Sequence, residues 1–564
     1  MSEKETPSIL PPSADDLKWL TCDGQQLKKM AKAGLEVLEL NRQAVNDLNV
    51  FPVPDGDTGT NMVLTMRAAI KQLEGFEGDH VGEAARELAQ GALMGARGNS
   101  GVILSQIWRG FARTLKDTKQ FGAEELAEAI KEGSDTAYKG VMRPVEGTIL
   151  TVIREGAEEA LDATSKSWDL RFILARMVER CQQSLERTPE LLPVLKQAGV
   201  VDAGGQGLVY ILEGMLGYVT GELKLKTAET TAAELAPQAL VAPAGGLDNP
   251  YDVQFILHGE NLDVISIRND IDAMGDSTVV VGDERTIKVH VHVKDPGVPI
   301  SYGIGRGRID DVVVENMQAQ MDLLVRSQPP QQASAAIDIP EVEVKEGEIA
   351  IVAVAAGDGL ADIFRSLGAN GIVDGGQSNN PSTEEIYKAI EKMPTDKVIV
   401  LPNNKNIILA AEAAKELSSK EVYVVPTKNV PQAVSAMLCL NRAVDVGTAA
   451  ASMNEACSHV SSGEIAFATR SANLHGVTVE EGEIIGVANG RLCASSSEVS
   501  EVLQCILEEM DMKNRELISV YYGSEVSEDD AESLAEEIVS LYPEAEVEVL
   551  RGGQSIYQYI LGAE

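Results

Sequence analysis

Two carboxylates separated by one residue, Asp55 and Asp57, stand in the segment NVFPVPDGDTGTN at positions 49–61. Prolines before them disfavour a helix, and glycines beside them allow positive φ and a close approach of the backbone to a ligand. In such a turn both carboxylates can converge on one cation, and oxygen ligands suit Mg²⁺, which commonly bridges substrate phosphates. The alternative is an Asp-rich turn in which Thr or Asn caps the following helix.

A helix is predicted to begin at the polar residues that follow, Thr58, Thr60 and Asn61, and to continue through MVLTMRAAI. The N-terminus of a helix exposes free N–H groups and favours an anion. Carboxylates for a metal, followed by N–H groups for a phosphate, together indicate a metal–nucleotide site.

Three further loops of small residues precede apolar helices, and they are GARGNSG (95–101), EGTIL (146–150) and DAGGQG (202–207). Asn99, Ser100 and Thr148 supply polar side chains in the first two. Each loop alone is typical of a tight turn between helices. Four such loops in one helical region indicate loops gathered at one end to hold a phosphate-bearing ligand. None matches a Walker loop or the G-x-G-x-x-G fingerprint.

The charge of the chain excludes several classes of partner. Its 564 residues include 48 Lys and Arg against 87 Asp and Glu, a formal net charge of −39. Such a field repels nucleic acid and anionic membrane surfaces, so we expect no nucleic-acid partner. The cysteines lack CxxC spacing, and we find neither a signal-peptide apolar region nor a transmembrane run. These features predict a cytoplasmic protein with reduced thiols.

Hydrophobic periodicity predicts a multidomain chain. The predicted parts are an all-α domain (1–225), a linker (226–246), a small α/β middle domain (247–326), a second linker (327–347) and an α/β C-terminal domain (348–564). In the last domain strands alternate with helices, which predicts a parallel sheet covered by helices. Ser382 with Glu385 three residues later predicts a capped helix there.

His290 and His292 lie two residues apart in the strand-like segment TIKVHVHVKDPG of the middle domain. Side chains at i and i+2 of a strand point the same way, so the two imidazoles can bind Zn²⁺ if a third ligand comes from elsewhere. The alternative is a structural or exposed pair.

Eight stretches of the chain carry a family resemblance: NVFPVPDGDTGTNM, GARGNSGVILSQIWRGF, RPVEGTILTV, VVDAGGQGL, KVHVHVKDPG, GGQSNNPSTEEI, VLPNNKNIILAAE and GGQSIYQYI. The first four resemble the nucleotide-binding domain of the L subunit of dihydroxyacetone kinase. Together they resemble more closely the ATP-binding component of bacterial fatty acid kinase. The resemblance implies an eight-helix barrel with ATP at one end as the first domain, and a homodimer formed through the middle domain.

The resemblance also assigns site residues. It implies that Asp55 and Asp57 hold Mg²⁺, and Asn49 stands where the dihydroxyacetone kinase pattern has a third aspartate. The nucleotide would be held by Thr58, Gly59, Thr60, Asn61, Asn99, Ser100, Thr148, Asp202 and Gly204. In fatty acid kinase relatives a cysteine accompanies the two histidines of the middle domain. Here Asp252 stands at the position of that cysteine. A carboxylate can still bind zinc, although it is a harder ligand than a thiolate.

The implied activity is a kinase reaction in which the γ-phosphoryl of ATP passes to the carboxylate of a fatty acid, giving an acyl phosphate. A separate fatty-acid-binding protein presents the acyl chain and would contact the C-terminal domain, whose alternative role is to support folding or dimerisation. A carboxylate is already ionised at neutral pH, so the reaction needs no general base. The alternatives are a component of a dihydroxyacetone-type kinase and a non-catalytic nucleotide-binding scaffold.

Overall fold

The structure is a computed structural model, and it describes residues 19–49, 56–141, 143–223, 251–259, 262–272, 274–282, 286–316, 344–377, 379–474, 476–512 and 515–564. The chain divides into two compact units. The first comprises Met1–Leu225 together with Ile339–Glu564, and the second is Lys226–Asp338. The helical and C-terminal parts of the chain therefore form one unit. None of the helices in the described ranges is long and apolar enough to cross a membrane.

The helical region confirms the all-α prediction. Its helices are α1 (Gly24–Leu40), α2 (Arg42–Asn46), α3 (Thr58–Glu74), α4 (Val81–Met94), α5 (Gly98–Thr114), α6 (Ala123–Gly140), α7 (Ile149–Thr164), α8 (Leu170–Glu186), α9 (Thr188–Leu191), α10 (Pro193–Ala198) and α11 (Ala203–Thr220). Eight of these described helices have 14 or more residues. From α3 to α8 each long helix packs on the next, and α11 packs on both α8 and α1. The closed eight-helix barrel itself stays a prediction.

Local sequence signals explain where the first helix starts and which face it buries. The Asp23 carboxylate accepts a hydrogen bond from the Gln26 backbone N–H at 2.8 Å, and the Gln26 side chain accepts one from the Asp23 N–H at 2.8 Å. This reciprocal capping box satisfies two N–H groups that the helix leaves unpaired. Leu27, Leu35 and Leu38 recur at helical spacing and are buried in the core.

The described residues of the C-terminal region form three sheets, of four, six and two strands. Its strands are β5 (Ile349–Ala355), β6 (Gly371–Asp374), β7 (Lys397–Leu401), β8 (Glu421–Val424), β9 (Ser461–Phe467), β10 (Ala472–Leu474), β11 (Val477–Val479), β12 (Ile484–Ala488), β13 (Arg491–Ser496), β14 (Leu517–Tyr522), β15 (Glu546–Arg551) and β16 (Tyr557–Ala563). Its helices are α14 (Asp358–Ser366), α15 (Thr383–Lys392), α16 (Ile408–Leu417), α17 (Val430–Leu438), α18 (Val446–Cys457), α19 (Val499–Glu509) and α20 (Glu528–Leu541). The first sheet has the order β6-β5-β7-β8 and is parallel, as predicted. The two-stranded sheet pairs β10 with β11.

The second sheet corrects the expectation of one parallel sheet. Its order is β13-β12-β9-β16-β14-β15, and only the β14–β15 pair, joined through α20, is parallel. The antiparallel β12–β13 hairpin turns at Asn489 and Gly490, whose φ values are 48° and 79°. Asn-Gly is the residue pair that such a two-residue turn requires, so the sequence carried a hairpin signal that the helix–strand rhythm obscured.

The described residues of the second unit form a four-stranded antiparallel sheet and two helices. Its elements are β1 (Tyr251–His258), α12 (Val264–Asp272), β2 (Asp276–Gly282), β3 (Thr286–Val293), α13 (Gly297–Arg306) and β4 (Arg308–Asn316), and the strand order is β2-β3-β1-β4. His290 and His292 lie on β3, and Asp252 of β1 is the Cα partner of His292. The side chains of these three residues lie outside what the structure describes. Among described residues no group of three His, Cys, Asp or Glu could hold a metal, so zinc stays an unsupported prediction.

The close contact between α1 and α11 depends on glycine. A Cβ built on Gly214 would lie 2.4 Å from the carbonyl oxygen of Ala33 and 2.7 Å from the Cα of Gly34, so neither helix has room for a side chain there. We expect Gly214→Ala to lower the free energy of unfolding by about 1–3 kcal/mol through overpacking. Gly75→Ala is the matched control, because a Cβ there meets nothing within 4 Å. Thermal unfolding followed by circular dichroism checks this, and equal midpoints for the two variants would contradict it.

Candidate functional site

A cavity of about 1000 Å³ lies where the N-termini of α3, α5, α7 and α11 meet. The predicted site residues that line it are Asn49, Asp57, Thr58, Asn61, Asn99, Ser100, Thr148, Asp202 and Gly204. The four small-residue loops, which are far apart in sequence, are therefore gathered at one end of the helical region. The volume is large enough for a nucleotide.

Asp57 stands immediately before α3 but does not cap it through its side chain. Its Oδ2 instead accepts a short hydrogen bond from the Nδ2 of Asn380. Beside it, the Thr58 hydroxyl donates to Oδ1 of Asn49 at 3.1 Å. The carboxylate and the amide oxygen thus both reach the same end of the cavity. Asp55 lies outside the described residues.

Gly59 and Thr60 are not among the residues that line the cavity. A Cβ on Gly59 would lie 2.3 Å from the carbonyl oxygen of Arg42, so this glycine allows α3 to pack closely against α2. The Thr60 backbone N–H and hydroxyl both bond to the side chain of Asn46, each at 3.2 Å. Gly59 and Thr60 therefore hold the start of α3 against α2. The phosphate contacts that the resemblance implies for them stay a prediction.

The first turn of α5 lines the cavity. Its N-cap residue, Arg97, makes no capping hydrogen bond with its side chain. Asn99 and Ser100 line the cavity in the first turn, and Gly98 has a φ of 58°, a left-handed conformation that favours glycine. A Cβ at Gly98 would lie 2.6 Å from Nδ2 of Asn61, so glycine also leaves room for that side chain.

The other two helices carry side-chain caps. Thr148 accepts from the Leu150 N–H at 3.4 Å, and Asp202 accepts from the Gly205 N–H at 2.7 Å. Burial raises the pKa of Asp202 to about 6, against the opposing effect of backbone N–H bonds from Gly205 and Ile149. Since both N–H groups belong to helix first turns, Asp202 ties the starts of α7 and α11 together.

The cavity has a second wall that the sequence analysis did not predict. Residues Lys405, Asn406, Ile408, Leu409, Pro426 and Lys428, from the loops after β7 and β8 and the start of α16, line it opposite the helix N-termini. Nδ2 of Asn99 donates to Oδ1 of Asn406 at 3.3 Å, which connects the two walls. No local pattern in VLPNNKN marks it as part of a site more than 300 positions away along the chain.

Arg97 holds the C-terminal region against the same loops. Its guanidinium donates to the carbonyl oxygen of Asn380 at 2.7 Å and pairs with Glu385 at 3.1 Å. Glu385 and Ser382 also form the predicted capping box at the start of α15. Asn380 is only 2% exposed, so the GGQSNNPSTEEI segment meets the helical region at this residue.

Comparison with solved structures finds likenesses to two kinds of kinase component. The chain is 17% identical to the dihydroxyacetone kinase of C. freundii, solved with AMP-PNP and Mg²⁺, with a TM-score of 0.28 over 38% of each chain. It is 12% identical to the fatty acid kinase B3 protein of Streptococcus pneumoniae, solved with linoleic acid, with a TM-score of 0.26 over 33% of this chain and 76% of that one.

Similar proteins match along nearly the whole chain. Protein YloV of Bacillus subtilis is 38% identical over 555 residues, which cover 96% of this chain and 99% of YloV. An uncharacterized protein of Staphylococcus epidermidis is 37% identical with the same coverage. The family models that match are the DAK2 domain over residues 52–217, and the FakA-like middle and C-terminal domains of fatty acid kinase over 248–323 and 350–564. The chain therefore belongs to the FakA-like family of fatty acid kinase components.

Proposed function

We propose that this chain is the ATP-binding component of a two-component fatty acid kinase. It transfers the γ-phosphoryl group of ATP to the carboxylate of a fatty acid presented by a separate fatty-acid-binding protein, and the product is an acyl phosphate. The observation that carries the proposal is the convergence of four helix N-termini on one cavity beside Asp57, in a chain of this family. A cytoplasmic location and a homodimer are part of the proposal.

The residues at the cavity fit a Mg²⁺–nucleotide complex. Asp57 and Asn49 offer a carboxylate and an amide oxygen at the start of α3, and the second aspartate of the motif, Asp55, is two residues away in sequence. Hard oxygen ligands of this kind are those that Mg²⁺ takes in phosphate-binding sites. When bound there, Mg²⁺ would neutralise charge on the transferred phosphoryl group.

The helix N-termini would hold the phosphates. The N-cap residues of α3 and α5 make no side-chain cap, and Thr58, Asn99 and Ser100 of the two first turns line the cavity, so their N–H groups would be the ones to bind an anion. Held in this way, the terminal phosphate is fixed for in-line attack, and such positioning is the main requirement of phosphoryl transfer.

The step needs no proton transfer. An oxygen of the fatty acid carboxylate forms a bond to the γ-phosphorus while the bond from that phosphorus to the β,γ-bridging oxygen breaks, and ADP leaves with the electron pair. A carboxylic acid with a pKa of about 4 is ionised at neutral pH, so the nucleophile is already present. In a dihydroxyacetone-type reaction the nucleophile is a sugar hydroxyl, which would have to lose a proton. The proposed reaction differs because its carboxylate nucleophile is already ionised.

The direct test is ATP turnover by the purified chain. We expect ADP formation that requires Mg²⁺, a purified fatty-acid-binding partner and oleate together, because each supplies one part of the reaction. Turnover that requires dihydroxyacetone and does not require oleate would show that the phosphoryl acceptor is dihydroxyacetone and not a fatty acid. ATP binding without consumption under any of these conditions would instead support a non-catalytic scaffold.

Asp57→Asn tests the assigned metal ligand. The variant keeps the size of the side chain but removes its charge, so we expect turnover to fall by a factor of about 100 or more, since the phosphoryl group loses its bound cation. Asp117→Asn, at an exposed carboxylate beyond the end of α5, is the matched control and should retain wild-type turnover. Melting temperatures of both variants should match that of the wild type. Undiminished turnover in Asp57→Asn would refute the assignment.

A further inference from the structure

Two lysines from the C-terminal region face the proposed nucleotide cavity. Lys405 and Lys428 line it, and Arg143 is the other cationic residue among the described lining residues. Asp57 and Asp202 are the acidic ones. The cavity thus has acidic and N–H groups on its helical wall and two ammonium groups on its C-terminal wall.

The fold places the two lysines side by side. Lys405 follows β7 and Lys428 follows β8, and these neighbouring parallel strands end at the same edge of the sheet. Loops at the carboxyl ends of such strands are where open α/β sheets bind ligands. A second cavity of about 180 Å³ is also lined by both lysines, which confirms that they are neighbours.

Hydrogen bonds between the two loops fix their positions. The Asn403 N–H donates to the Thr427 hydroxyl at 3.0 Å, and that hydroxyl donates to Oδ1 of Asn403 at 2.7 Å. Asn403 has a φ of 57°, and its Nδ2 also donates to the carbonyl oxygen of Val354 at 2.7 Å. Thr427 is fully buried directly before Lys428. The backbones that carry both lysines are therefore held in place before a ligand arrives.

The same loop is tied to the helical wall. Asn406, the residue after Lys405, accepts the hydrogen bond from Asn99 in the first turn of α5. Lys405 is therefore next in sequence to a residue that contacts an uncapped helix N-terminus. An anion held at that N-terminus lies close to the C-terminal wall.

Glu464 is the titratable group that faces Lys405 from β9. It lines the second cavity, and burial raises its pKa to about 7, with Lys405 opposing the rise. Lys405 and Glu464 therefore interact electrostatically beside the second cavity.

Phosphoryl transfer from ATP to a carboxylate brings two anions together in a chain whose net charge is −39. The transition state requires positive charge around the transferred group, and lysine is a recurrent point charge for phosphates. We propose that Lys405 and Lys428 bind the terminal phosphate of ATP, so that the C-terminal region forms the second half of the phosphate site. This inference rests on the proposed function.

The test compares nucleotide affinities in the full-length chain. We expect the double variant Lys405→Met, Lys428→Met to bind ATP with Mg²⁺ about 150-fold or more weakly, which corresponds to losing two hydrogen bonds to charged groups, while AMP affinity changes by less than about threefold. Lys388→Met is the matched control, because Lys388 is exposed on α15 and pairs only with Glu384 among described residues. Replacement of both lysines by arginine should restore most of the ATP affinity.

Thr427 gives a second, independent variant. Thr427→Val keeps the shape of the side chain but removes the hydrogen bonds to Asn403, so ATP should bind more weakly with AMP affinity unchanged, and Thr427→Ser should rescue it. Wild-type ATP affinity in the double lysine variant would overturn the inference and leave the proposed function standing. Failure of the wild-type chain to bind ATP would overturn both. Equal losses for ATP and AMP would show a structural effect and would also overturn the inference.

Discussion

The backbone N–H groups at the starts of four helices, which need acceptors from outside their own helices, are the constraint around which the helical region is arranged. Each helix leaves N–H groups that its own carbonyls cannot reach, and two of the four starts have no side-chain cap from their N-cap residues. Their convergence on one cavity concentrates partial positive charge that an anion relieves. Small residues make the convergence possible, since Gly59 and Gly98 leave no room for a Cβ. These glycines therefore permit the close packing that brings the helix starts to the cavity.

The C-terminal region is joined to these helix starts by specific polar contacts. Arg97 bonds to the Asn380 carbonyl and to Glu385, and Arg109 of α5 pairs with Glu416 of α16 at 3.0 Å. The second pair is exposed and contributes little, whereas Asn380 itself is buried and its hydrogen bonds are partly shielded from solvent. Parallel strands bring their following loops to one edge of the sheet, so a single docking orientation delivers several loops to the cavity at once.

Much of the candidate site follows from local sequence. Asp57, Thr58, Asn99, Thr148 and Asp202 stand in small-residue loops before apolar helices, and that pattern alone predicted loops gathered at one end. The second wall could not be predicted in this way. Lys405 and Lys428 are ordinary surface residues by pattern, and only tertiary packing between distant segments brings them to the cavity.

The same distinction applies to the fold. Periodicity predicted the helical region and the parallel β5–β8 sheet, since both depend on local amphipathic patterns. The antiparallel part of the second sheet was not predicted because β9 pairs with β16 across a long sequence separation and the hairpin signal at Asn489 and Gly490 was obscured by the helix–strand rhythm. The helical and C-terminal segments were predicted as separate domains, and their merger into one compact unit depends on side-chain contacts that no periodicity encodes.

Because Asp57 accepts a hydrogen bond from Asn380, the cation binding proposed at Asp57 would be thermodynamically linked to the contact between the two regions. An Asp57 oxygen that coordinates a cation has fewer lone pairs to offer the amide, so the two interactions exchange at one atom. Linkage of this kind is reciprocal. If a bound cation weakens the Asn380–Asp57 hydrogen bond by a given factor, formation of that hydrogen bond lowers the affinity for the cation by the same factor. One amide group thereby couples the occupancy of the site to how firmly its two walls are held together.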